Sequence, residues 1–195
     1  MSINLAKITE TVVLLLSKDE DKVHQSKLSR LLLLVDTHIM DRYILPLTDD
    51  CITCFKHEPP ILRNVDTFIT KGFTSYSLWT KRIKHSKEKG ELYFQLIHPR
   101  TETHCEHLNQ TEINEINFVQ MIFGNFTVPA LDTYLYDLSV DWRDKESSEF
   151  NSYLFFKSLR FSETECRHRQ RFFEEHFSEG KHTLHEVIAN RQKLV

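Results

Sequence analysis

"KLSRLLLLVDTHIMDRYILPLTDDCITCFKHEPPI", residues 27–61, decides how the chain folds. Leu28, Leu31, Leu32, Val35 and Ile39 fall at i, i+3, i+4, i+7 and i+11, which predicts one apolar face of a helix over 26–44. Lys27, Arg30, Asp41 and Arg42 occupy its other side. Pro46 and the following "TDD" close that helix and open a loop. "CITCF", residues 51–55, is short, β-branched and aromatic, and predicts a strand. Pro59 and Pro60 then suit the start of another helix, with Ile61, Leu62, Val65, Phe68 and Ile69 as its buried stripe.

The rest of the chain extends this pattern outward. Only four glycines and five prolines punctuate it, which favours helices over a many-stranded sandwich. Residues 3–16 predict a helix with Ile8, Val12, Leu15 and Leu16 on one side. "GELYFQLIHP", residues 90–99, predicts a second strand that pairs with 51–55 as a small antiparallel ribbon. Between them, Thr74 to Lys89 reads either as a helix anchored by Tyr76, Leu78, Trp79 and Ile83 or as an irregular excursion.

Asn109 and Glu112 have capping-box spacing ahead of a helix over 110–123, whose Ile113, Ile116, Val119 and Phe123 face inward and whose stop is Gly124. Thr127 caps the next helix, with Pro129 in its first turn and Leu131, Tyr134 and Leu135 to bury. "DLSVDWRDKESSE" is a polar connection around Trp142. Helices over 149–160 and 163–178 follow, the second opened by Ser162-x-x-Glu165. The tail has Leu184, Val187 and Ile188 to hold it. The expected architecture is mainly α: a compact helical domain over 1–145 carrying a small antiparallel β-ribbon, and a C-terminal helical extension over 146–195.

At 195 residues the chain has the size of one domain, and 40% hydrophobic against 27% charged residues is a globular composition. A net charge of -3 leaves no basic excess to wrap nucleic acid. No run approaches the roughly 20 apolar residues that span a bilayer. "TVVLLLS", residues 11–17, lies between Glu10 and "KDEDK" without a cleavage site, so it reads as a core helix rather than a signal peptide. The expectation is a cytoplasmic protein with four reduced cysteines and no membrane partner.

Cys51-x-x-Cys54 with His57, and the distant His104-Cys105-x-His107, hold enough ligand types for tetrahedral zinc. Strand alternation sends Cys51 and Cys54 to opposite faces, which favours a partly buried strand over a metal site. "CRHRQRFFEEHF" sets Arg167, Arg169 and Arg171 beside His168 and Phe172, a strip that suits phosphate and bases, but on a helix Arg169 lies about 200° from Arg167. No phosphate loop, His-Glu-x-x-His or Gly-x-Ser-x-Gly is present, so no local signature marks an enzyme or calls for a cofactor.

The segment over 27–61 resembles the opening of the Panacea antitoxin domain, also called SocA-like: a Lys-Leu-x-x-Leu-Leu helix, a Pro-Leu-Thr-like loop, a strand and a proline step into the next helix. "LNQTEINEINFVQMIFGNFTVPALDTYLYDLSVDW", residues 108–142, resembles that family's second block, with Leu135 and Trp142 at its spacing. Together they span about residues 24–142. The chain departs from the family pattern at Glu58-Pro59-Pro60, where Gly-Pro-Val is usual, and at Asp137, where histidine is usual.

The resemblance implies a non-enzymatic antitoxin that neutralises a cognate protein toxin encoded nearby by binding it directly. Its alternative is an adaptor that delivers a partner to a cytoplasmic protease. Trp79, Tyr134, Tyr136 and Trp142 are then either core anchors or partner contacts, Glu58 and Asp137 either solvated charges or acidic contacts to a basic nucleotide-binding pocket, and Pro59 a partner contact beside Glu58.

Overall fold

The computed structural model describes residues 3–18, 22–98, 104–143 and 150–177. Its architecture is mainly helical with two small antiparallel sheets. In chain order the elements are α1 (Leu5–Leu16), β1 (Val23–His24), α2 (Gln25–Tyr43), β2 (Ile52–Thr53), β3 (Ile61–Leu62), α3 (Arg63–Thr67), α4 (Ser77–Arg82), β4 (Ile83–Glu88), β5 (Glu91–Leu96), α5 (Gln110–Phe123), α6 (Val128–Ser139), α7 (Ser152–Ser158) and α8 (Glu163–Phe177). Among the described residues no helix is long and apolar enough to cross a membrane.

α1 and α2 form the centre. The expected inward residues are buried, but so are Leu33 and Leu34 on the far side of α2 and Lys7, Thr9, Glu10 and Thr11 on α1. Both helices are covered on most sides, α2 by α5, α6 and the sheet. Their polar residues are therefore bonded inside the fold, because an unpaired buried polar group is costly. Lys7 Nζ reaches Glu112 Oε1 at 2.5 Å, joining α1 to the first turn of α5. The Glu10 carboxylate accepts the main-chain N–H groups of Glu106, His107 and Leu108 at 2.9, 2.9 and 3.0 Å, and sits 2.8 Å from His107 Nδ1.

The loop after α2 is organised by two carboxylates. Asp36 accepts N–H bonds from Leu47 at 2.9 Å and Thr48 at 3.1 Å, and the Thr48 hydroxyl donates to its other oxygen. Asp50 accepts from Cys51 N–H, Asn64 Nδ2 and Val65 N–H at 2.7, 2.8 and 2.7 Å. Ile44, whose N–H closes α2 on the Met40 carbonyl at 2.9 Å, takes φ 75°, a region that β-branched residues rarely adopt.

The ribbon pairs differently from the sequence expectation. β2 covers two residues of 51–55 and pairs with β3, Ile52 opposite Leu62 and Thr53 opposite Ile61. β5 pairs instead with β4, from Ile83↔Leu96 to Glu88↔Glu91, and with β1 through Val23↔Phe94. The reason is local: Lys89 and Gly90 take φ 52° and 91°, the two left-handed residues of a tight hairpin turn. Thr74 to Lys89 thus resolves into a short helix and an edge strand. The helix expected straight after Pro60 begins at Arg63, because Ile61 and Leu62 are used by β3, and it widens into a π-helical turn over Phe68–Gly72.

The capping boxes form as expected. Glu112 N–H donates to Asn109 Oδ1 and Asn109 N–H to Glu112 Oε2, both at 2.9 Å. Glu165 N–H donates to Ser162 Oγ at 3.3 Å and Ser162 N–H to Glu165 Oε2 at 3.2 Å. The last helices are Ser152–Ser158 and Glu163–Phe177, the former three residues shorter at its start than expected. Pro99, residues 144–149 of the polar connection, and the tail with Leu184, Val187 and Ile188 lie outside the described residues.

Candidate partner-binding surface

The seven residues singled out from the sequence separate by burial. Trp79 and Trp142 are fully buried and offer nothing to a partner. Trp79 packs edge-on against Phe68 and Phe94 at 5.3 and 5.5 Å, and Trp142 against Phe155 at 5.1 Å. Both are core anchors, the first of the two readings left open for them. Glu58, Tyr134 and Asp137 are exposed, and Pro59 and Tyr136 half-buried.

Four of these are drawn towards one corner by Arg143. Its guanidinium donates to the Phe55 carbonyl and, at 2.9 Å, to that of Lys56, and lies 5.2 Å over the Tyr136 ring. Arg143 therefore ties the loop bearing Glu58 and Pro59 to the helix bearing Tyr136 and Asp137. Tyr134 points elsewhere, with its ring 5.0 Å from Phe123 of α5. Pairing with Phe123 leaves Tyr134 exposed, although the sequence pattern predicts it buried with Leu131 and Leu135.

Tyr134 marks a surface that the sequence reading overlooked. Phe118, Met121 and Ile122 of α5 and Phe126 just beyond it are all exposed, Met121 to 72%. Phe123 bridges Phe126 at 5.4 Å and Tyr134, so the face runs from α5 across to α6. Its other end meets α2, where the His38 ring stacks on Phe118 at 4.9 Å. His38 Nε2 is 2.7 Å from Glu115 Oε2, and Arg42 NH1 is 3.2 Å from Glu115 Oε1. Arg30 on α2 pairs with Asp132 on α6 at 2.7 Å.

The result is an apolar centre with ion pairs at its edge, the arrangement of a binding interface. Two signals in the sequence point to it. Phe118, Met121 and Ile122 fall off the inward stripe of Ile116 and Val119, and no Asp, Glu, Lys, Arg or His occurs from Ile116 to Leu131 in a chain that is 27% charged.

The histidine and cysteine clusters do other work. His107 serves Glu10, and burial pushes the Cys54 and Cys105 thiols up to about 11. Among the described residues no group of three His, Cys, Asp or Glu is placed to hold a metal ion. The arginine strip divides: Arg167 pairs with Glu163 at 2.7 Å, whereas Arg169 turns inward, 3.7 Å from the Phe161 ring and 2.8 Å from the Asp41 carbonyl. No protein-family model, curated protein or solved structure matches the chain.

Proposed function

We propose that the chain is a non-catalytic binding protein that engages a partner protein through the α5–α6 face. The observation that carries this reading is the charge-free stretch from Ile116 to Leu131, whose Phe118, Met121, Ile122 and Phe126 face solvent. Depletion of charge with enrichment of aromatic residues and methionine is the composition of an interface core. The resemblance to Panacea domains supplies the partner class: a toxin encoded beside this chain, silenced by occupation of its active site or by being held in an inactive conformation.

Co-expression with each neighbouring gene, scored by growth and by pull-down, tests the proposal. Rescue with a stable complex is expected, and an intact, silent partner marks sequestration rather than delivery to a protease. Charge placed in the face, as Met121→Glu or Phe118→Glu, is expected to weaken the complex at least about 100-fold, the effect of losing a hot-spot contact. Glu58→Lys with Asp137→Lys serves as the comparison at the Arg143 corner. Loss confined to that pair moves the interface there and overturns the α5–α6 assignment.

A further inference from the structure

β4 is the outer strand of the sheet ordered β1-β5-β4, and among the described residues no strand pairs with its far edge. The register tells which main-chain groups face that way. Ile97 N–H donates to the Arg82 carbonyl at 3.0 Å, and Glu88 stands opposite Glu91 across the two-residue turn. Hydrogen bonding alternates along an antiparallel strand, so Lys84, Ser86 and Glu88 bond to β5 while Ile83, His85 and Lys87 turn their main-chain groups outward. Ile83 N–H is taken by the Trp79 carbonyl at the end of α4. The outer edge therefore offers two donors, at His85 and Lys87, and three acceptors, at Ile83, His85 and Lys87.

Packing holds this edge in place. Phe94, opposite His85 on β5, is fully buried, with the Trp79 and Phe73 rings at 5.5 and 5.2 Å, and the Phe73 ring also meets the His85 ring edge-on at 4.9 Å. Charge singles the edge out. In a chain of net charge -3, the strand and its turn carry Lys84, Lys87 and Lys89, all exposed and without an ion pair among the described residues, against one acid, Glu88, which pairs with Lys22. Successive side chains alternate, so Lys84 lies on one face of the sheet and Lys87 on the other. Lysines on an edge discourage pairing in general, and a second copy of β4 would set like charges side by side. A strand with acids opposite them is the exception.

We propose that this edge takes up an extended acidic segment of another protein as a fourth strand. Antiparallel pairing sets partner residues three apart opposite Lys84 and Lys87, one on each face, so the segment recognised is Asp/Glu-x-x-Asp/Glu. Main-chain bonds to His85 and Lys87 hold it, and its two carboxylates select it. A nucleic acid matches the charge but has no peptide groups to give the edge. The site shares no residue with the α5–α6 face and stands whatever that face binds.

The experiment titrates the ¹⁵N-labelled full chain at low salt with the hexapeptide N-acetyl-Thr-Glu-Val-Thr-Glu-Val-amide, whose glutamates stand three apart. Saturable shifts and slowed solvent exchange of the His85 and Lys87 amides are expected, with affinity falling as salt rises. Three changes are each expected to weaken binding at least about ten-fold: lysine for both glutamates, methyl groups on the second, fourth and sixth peptide nitrogens, which face β4 in this register, and Lys84→Glu with Lys87→Glu in the protein. Methyl groups on the third and fifth nitrogens, which face away, leave binding intact. No response at His85 and Lys87, or binding indifferent to methylation of the facing nitrogens, overturns the proposal. A single-stranded oligouridylate that moves the same amides as strongly makes the lysines a general polyanion patch and overturns it too. All three of these results are read on the wild-type chain, so none depends on a variant folding.

Discussion

Asp36 and Glu10 are buried carboxylates that respond to pH in opposite directions. Burial pushes Asp36 up to about 8 from an ordinary 3.8; its hydrogen bonds from Thr48 and Leu47 oppose this, and the negative charge of Asp50 adds to it. The folded protein then holds a proton that the unfolded chain releases. That contribution to stability is complete below about pH 4 and is lost as pH rises through about 8. Burial also pushes Glu10 up, but the bonds from His107 and the Glu106 and His107 main chain outweigh it, leaving Glu10 below its ordinary 4.5. Its contribution is present above pH 4.5 and is lost as pH falls through the lowered value. Urea midpoints measured from pH 3 to 9 should show this: Asp36→Asn flattens the decline between pH 4 and 8, and Glu10→Gln flattens the fall on the acid side. Glu10→Gln also lowers stability at pH 7 by about 1–3 kcal/mol, since each oxygen takes two of the four donors and an amide NH₂ in place of either one faces both. A wild-type slope left intact by Asp36→Asn assigns the proton elsewhere.

At the scale of elements, the joint between α1 and α5 is an ion pair in a dry setting, Lys7 and Glu112 being almost wholly buried. Breaking such a pair from one side leaves a buried charge. Lys7→Met is therefore expected to cost roughly 3–5 kcal/mol in urea unfolding, and adding Glu112→Gln to recover most of it, because glutamine still caps Asn109 N–H. A double variant no better than the single one would assign the loss to packing of the lysine stem. Sequence periodicity found α1, α2, α5 and α6, and the Asn109–Glu112 and Ser162–Glu165 spacings marked two helix starts within a residue. It missed β4 because "IKHSKE" is an edge strand, buried mainly at Ile83, whose Lys84 and Lys87 discourage further pairing. It also placed Trp79, Trp142 and Tyr134 by residue type, whereas exposure is settled by which neighbour covers each ring. The α5–α6 face was legible as a charge-free run, but without its neighbours an off-stripe phenylalanine reads like any other helix residue.

For the molecule as a whole, the issue is whether α7 and α8 belong to the body or hang from it. Phe155, Phe156 and Cys166 are fully buried in the same core cluster as Trp142, Leu131 and Leu135. Asn151 N–H donates to the Trp142 carbonyl at 2.8 Å, Arg143 bridges to Phe150, and Arg169 crosses to the end of α2. Removing one buried phenylalanine side chain costs about 3–5 kcal/mol, so losing Phe155 and Phe156 together approaches the 5–15 kcal/mol that holds a typical domain. A chain ended after Arg143 is therefore expected to lose its cooperative transition. Full-length protein should unfold as one unit, and its two tryptophans allow the check, since Trp79 packs on the β-sheet side and Trp142 against α7. With Trp142→Phe and Trp79→Phe each leaving one reporter, fluorescence and circular dichroism transitions in urea are each expected to coincide within a variant. If the Trp142 signal instead changes well before the helical signal, the C-terminal pair melts first, and the core of this protein ends near residue 143.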